Sequence, residues 1–151
     1  VIRQTARAAL LGACLIAAPA RADLGSDVER VGLAWTTVGR VHRLEPRFLE
    51  RGDVLPLLFP PELVTDDPTG CLTVAVLGTT SIQFIADPGG SADGRSPLDS
   101  PEGSLAGALE LTRCGAKKAS LANVLVEMRS PRGVIEVLAV AAPKPPPALT
   151  T

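Results

Sequence analysis

The stretch that decides the fold is Cys71-Leu72-Thr73-Val74-Ala75-Val76-Leu77, with its turn Gly78-Thr79-Thr80 and return Ser81-Ile82-Gln83-Phe84-Ile85-Ala86. Leu72, Val74 and Val76 put bulk on one face, and Thr73 and Ala75 put small side chains on the other. That is how a central strand covered on both sides reads. After the turn, Ile82, Phe84 and Ala86 share a face, with Ser81 and Gln83 opposite. Further on, Leu105, Gly107, Leu109 and Leu111 alternate with Ala106, Ala108, Glu110 and Thr112, a half-buried strand running to Cys114. Cys71 and Cys114 bracket the whole segment. An even cysteine pair in an oxidising compartment is most simply a disulfide, and a loop of this length would gain about 4 kcal/mol from it.

Export is read from the other end of the chain. Arg3 and Arg7 precede the small and apolar run Ala8–Ala18, then Pro19, then Ala20-Arg21-Ala22. These are the three parts of a secretory signal peptide cleaved after Ala22. A lipoprotein anchored at Cys14 competes, because Leu11-Gly12-Ala13-Cys14 resembles a lipobox. The apolar run before Cys14 is short for that role, given the roughly 7–15 residues of an ordinary h-region. No stretch approaches the roughly 18 apolar residues of a spanning helix, so the mature chain is expected to have no transmembrane span. Losing Arg3, Arg7 and Arg21 makes an already slightly acidic chain (net charge −1) more so. That argues against a nucleic-acid partner, which would call for a clustered positive footprint.

The expected organisation is a signal peptide (1–22), an N-terminal extension (23–46), a β-sandwich domain (47–141) and a Pro-rich tail (142–151). Within the extension, Ser26 and Glu29 suggest a short capped helix or turn, and Leu33 to Val41 leans toward strand. Leu55, Leu57 and Phe59 define another strand, which Pro56 assigns to a sheet edge or a bulge. Asp87 to Gly103, rich in Gly, Pro, Ser and Asp, reads as a mobile surface loop. Gly115-Ala116-Lys117-Lys118 reads as an exposed turn. Ala122, Val124, Val126 and Met128 face inward from the next strand. Ser130-Pro131-Arg132-Gly133 carries type I turn residues and is expected to join Leu121–Arg129 to Val134–Ala141 as a hairpin. The fold class is therefore all-β: an antiparallel β-sandwich or jelly roll of six to eight strands, preceded by the cleaved signal helix.

Little chemistry is legible. His42 is the single histidine and lacks the Gly-x-Ser-x-Gly elbow of a triad. One His and two distant cysteines do not form a zinc set. Glu110, Glu127 and Glu136 fall on outward strand positions and read as a solvated face with Arg113 and Arg129. Asp87, Asp93 and Asp99 form a candidate calcium or ligand loop, since calcium takes clustered oxygens. Trp35 is a candidate binding aromatic for a sugar, weighed against a place in the core. Arg51-Gly52-Asp53 matches an adhesion tripeptide but sits where turn chemistry is ordinary. No catalytic residue, metal or cofactor is assigned.

The strand order ending in Gly133-Val134-Ile135-Glu136-Val137-Leu138-Ala139-Val140, with Leu49-Glu50-Arg51-Gly52-Asp53 leading into Val54–Phe59, resembles bacterial pre-peptidase C-terminal-type domains over about Phe48 to Val140. The family's Gly-x-Tyr near the last strand is missing, since the chain has no Tyr. The resemblance implies a secreted β-sandwich module that aids secretion or surface binding. The expected function is a non-catalytic exported protein of the periplasm or cell surface, with an envelope protein or glycan as partner. A carbohydrate-binding module is the alternative, and a small secreted hydrolase using His42 and loop acids a weaker one.

Overall fold

Period-two alternation is realised as two antiparallel sheets packed face to face. A computed structural model describes residues 24–79, 82–88, 102–103 and 107–149. The elements in order are α1 (Leu24–Thr36), β1 (Arg40–Arg43), β2 (Arg47–Glu50), β3 (Val54–Leu58), α2 (Glu62–Thr65), β4 (Cys71–Gly78), β5 (Phe84–Pro88), β6 (Glu102–Gly103), β7 (Ala108–Cys114), a 3-10 helix (Gly115–Leu121), β8 (Asn123–Met128) and β9 (Arg132–Ala142).

Sheet A runs β1-β9-β4-β7, with β2 also on β9; sheet B runs β3-β8-β5-β6. Every pairing is antiparallel. β1 and β2 are one strand with a break. Arg43 pairs with Leu138 and Arg47 with Ile135, so one extra residue on the Leu44–Pro46 side makes a bulge. Counted that way, the described residues form eight strands in two four-stranded sheets, and the chain changes sheet at every step except from β5 to β6, which is jelly-roll order. The all-β antiparallel sandwich read from the sequence is the fold observed, while the expected signal helix lies outside the described residues.

The core lies between the sheets. Leu72, Val74, Val76, Leu111, Ile135 and Val137 of sheet A meet Leu57, Phe84, Ala86, Val124, Val126 and Met128 of sheet B. β4 is buried on both faces. Its small face (Thr73, Ala75, with Leu77) looks outward and receives a third layer, α1. Val28 and Trp35 of α1 pack there on Ala75, Leu77, Leu138 and Val140. Small residues on the sheet leave room for the helix, and the indole of Trp35 is the largest buried side chain there.

Several expectations are corrected. Leu33 to Val41 is not a strand: α1 extends through Thr36 and β1 starts at Arg40. Leu24, Val28, Val31 and Trp35 follow a helical i, i+4, i+7, i+11 stripe that meets sheet A. Residues 23–46 thus contribute a helix and a sheet strand, not only an extension. The tail is docked too: Leu149 packs beside α1, and its amide donates to the Glu110 carboxylate at 3.0 Å. The segment after Cys114 is a 3-10 helix with Lys118 buried, at 3% exposed, where an exposed turn was expected. Ala122 is exposed, unlike Val124, Val126 and Met128.

Ser130–Gly133 does not close the expected hairpin. β8 lies in sheet B and β9 in sheet A, so Ser130–Gly133 is a corner between sheets. The amides of Arg129 and Ser130 donate to the Gln83 carbonyl, at 2.9 and 3.2 Å, and fasten that corner. β4 and β5 likewise belong to different sheets. Ile82, buried at this end of the sandwich, fills the room left by two glycines: a Cβ on Gly78 would lie 2.1 Å from its Cδ1, and one on Gly133 2.7 Å from its Cγ2.

Pro56 has the edge position its chemistry requires, since β3 borders sheet B. The Met128 amide donates to the Asp53 carbonyl at 3.0 Å. Alternation then turns the backbone groups of Val54, Pro56 and Leu58 to the free edge, where a missing N–H costs no ladder bond.

Candidate functional site

Cys71 and Cys114 are direct partners in the β4–β7 register, with Cα atoms 4.0 Å apart and sulfurs bonded at 1.99 Å. The expected disulfide is present. Around it lies a charged cleft of about 220 Å³ at one end of the sandwich, whose polar walls are Arg40, Glu62, Asp66, Asp67 and Lys118. The residues reach it from β1, α2, the turn before β4 and the 3-10 helix.

The cleft is held by its own hydrogen bonds. The Thr69 amide and hydroxyl both donate to Asp67 Oδ1 at 3.0 Å. The Thr69 hydroxyl, then its amide, hold the Asp67 carboxyl below the ordinary carboxylate range; burial opposes them, and the Gly70 amide and the Lys118 charge lower it by lesser amounts. The buried Lys118 ammonium donates to the Asp67 carbonyl, and the Gly115 amide donates to the Gly70 carbonyl at 2.9 Å. Gly70 is required because a Cβ there would lie 2.5 Å from Asp67 Oδ2. Arg40 pairs with Asp66 at 3.6 Å. Asp67 is thus committed to turn amides and Asp66 to Arg40, and among the described residues neither histidine nor free thiol lines the cleft. This is the chemistry of a fastened corner.

The residues singled out in the sequence do not converge. Trp35 is 2% exposed beneath α1, so its ring cannot serve as a stacking platform for a sugar. Phe48 is the exposed aromatic, at 60%, opposite Val134 on the outer face of sheet A. His42 packs edge-on against Phe59, ring centroids 6.5 Å apart. Asp87 lies within β5 opposite Leu125, so the strand extends into the segment expected to be a surface loop, while Asp93 and Asp99 lie outside the described residues. Among the described residues no group of three His, Cys, Asp or Glu could hold a metal.

The three glutamates do not share one face. Glu110 and Glu136 belong to sheet A and Glu127 to sheet B. Glu136 is buried and meets Arg43 at 2.5 Å, and Glu127 pairs with Arg129 at 3.3 Å. The Arg51-Gly52-Asp53 tripeptide is used internally: Arg51 Nε donates to the Arg129 carbonyl at 3.1 Å, and Asp53 Oδ2 accepts the Glu50 amide at 2.8 Å. Gly52 has φ +88°, which a turn of this kind asks of glycine.

Two further cavities were not legible in the sequence. One, about 440 Å³, separates α1 from the tail residues Pro147–Leu149. The other, about 260 Å³, opens between the sheets at the β1/β2 and β3 edges. Among the described residues no helix is long and apolar enough to cross a membrane.

No protein-family profile and no curated protein matches the chain. Among solved structures it is similar to the tobacco streak virus coat protein dimer, with a TM-score of 0.35 and 10% identity over 74% of this chain and 89% of that one. A likeness at that score adds nothing to the topology read from strand pairing. The class defined by the fold is the two-sheet antiparallel jelly roll, here with a helix over one sheet.

Proposed function

We propose that this is a non-catalytic exported protein of the periplasm or cell surface, acting by binding or as an envelope component. The observation that carries the reading is the Cys71–Cys114 bond between register partners. Disulfides persist in oxidising compartments, and the first 22 residues read as a leader that would take the chain there. His42 against an aromatic edge, and acids tied to amides and arginines, support a role without a nucleophile or a proton relay. The pre-peptidase resemblance is one form of the same proposal. The burial of Trp35 removes the main support for a sugar platform.

The test is fractionation of cells expressing the full chain, with intact mass and thiol alkylation of the recovered protein. Export with cleavage predicts a chain beginning at Asp23 that takes up alkylating reagent only after reduction. A diacylated Cys14 would select the lipoprotein form of the proposal. Cytoplasmic protein with reactive Cys71 and Cys114 would refute it.

A further inference from the structure

The slot between the two sheet edges is open for structural reasons. On one rim the sheet A strand is interrupted by the bulge at Leu44–Pro46. On the other rim β3 carries Pro56. Each rim lacks an amide donor at its proline, so neither edge extends a ladder across the gap. The floor is core: Leu57, Ile135 and Val137 are buried members of the main cluster, and Leu44 and Leu55 pack against it from partly exposed positions. The slot is therefore a recess open to solvent at its mouth and closed below by the apolar core, since Leu57 and Ile135 are fully buried and Val137 nearly so.

Arg47 stands at the mouth. Its register partner is Ile135, a core residue, so Arg47 occupies an inward-facing position on its strand. An apolar side chain would be the ordinary choice there. Its guanidinium is exposed and makes no ion pair among the described residues, whereas Arg40, Arg43 and Arg129 each do. Glu45 shares the rim.

We propose that this slot binds one medium-length acyl chain, with its terminal carboxylate on Arg47. Charge complementarity chooses the head group: an unpaired guanidinium with parallel donors matches a carboxylate. Volume chooses the tail. The cavity of about 260 Å³ equals the liquid volume of roughly nine waters at ~30 Å³ each, and a methylene is of similar size. That admits a single chain of about eight to ten carbons and excludes a two-chain lipid. The site stands apart from the localisation reading above, and failure of either leaves the other intact.

The experiment is calorimetric titration of the purified protein with saturated carboxylates from hexanoate to tetradecanoate, and with decanol. Decanoate should bind with a Kd on the order of 100 µM, and affinity should rise with length and level off near ten carbons. R47Q should weaken decanoate about tenfold and leave decanol unchanged. E45Q should tighten decanoate by about threefold, because it removes a like charge from the rim. Both positions are exposed, and unchanged thermal unfolding will confirm that the variants fold. Absence of decanoate binding at about 1 mM, an R47Q affinity equal to wild type, or affinity still climbing through tetradecanoate overturns the proposal.

Discussion

Removing the disulfide tests the central tie of this sandwich. The bond closes a loop with a sequence separation of 43 that contains β4, β5, β6 and β7, two strands of each sheet. For a loop of that size the chain-entropy relation gives about 13 cal/mol/K, or about 4 kcal/mol at 25 °C. The native side should change little. The Cys114 side chain is exposed, and the corner beside it keeps its Gly115–Gly70 and Lys118–Asp67 hydrogen bonds. The C71A/C114A double variant should therefore fold to the same sheets and lose about 4 kcal/mol, a large part of the 5–15 kcal/mol typical of a domain. Urea unfolding followed by Trp35 fluorescence gives the measurement, and the m-value should rise because the unfolded chain is no longer cross-linked. A loss below about 1 kcal/mol, or identical curves for the wild type with and without reductant, would refute the reasoning.

Three further outcomes follow from particular contacts. R43A leaves the buried Glu136 carboxylate without its cation and should cost about 1–2 kcal/mol, a Tm drop of about 3–6 °C; R43A/E136Q should recover part of it by scanning calorimetry. P56T restores a donor on the free edge of β3, so sedimentation should show more self-association with little change in unfolding midpoint. Asp67 has a lowered pKa in the folded state, so its stabilisation is present above the ordinary carboxylate range and disappears as pH falls through the lowered value. D67N should thus be less stable than wild type at neutral pH, with the gap closing in acid; a gap independent of pH would remove the ionised carboxylate from the explanation.

Alternation in β4, β7, β8 and β9 was legible because each strand has one face on a common core, and Pro56 marked an edge through its missing amide. The destination of each turn was not legible. Ser130-Pro131-Arg132-Gly133 states that the chain reverses, yet the sheet it enters is decided by contacts with Gln83, far away in sequence. The helix α1 was obscured by Val31, Trp35 and Thr36, whose propensities lean to strand. Burial of its stripe against small residues of β4 and β9 overrides them. Lys118 looked exposed because two adjacent lysines usually are, and its burial depends on a carbonyl in the turn before β4. The slot could not be foreseen, since it belongs to two edges and a bulge that exist only once both sheets are paired.

The pairing of the first strand with the last bears on how the molecule would yield under tension. Arg40 lies opposite Ala141, so the outer ends of β1 and β9 meet at one end of their ladder. A pull through residues 24 and 149 would peel α1 and then open that ladder one bond at a time, a low-force unzipping. The disulfide would then withhold the chain between Cys71 and Cys114 from extension. Full stretching should fall short of the contour length by about 150 Å, and reductant should release it in a single-molecule trace.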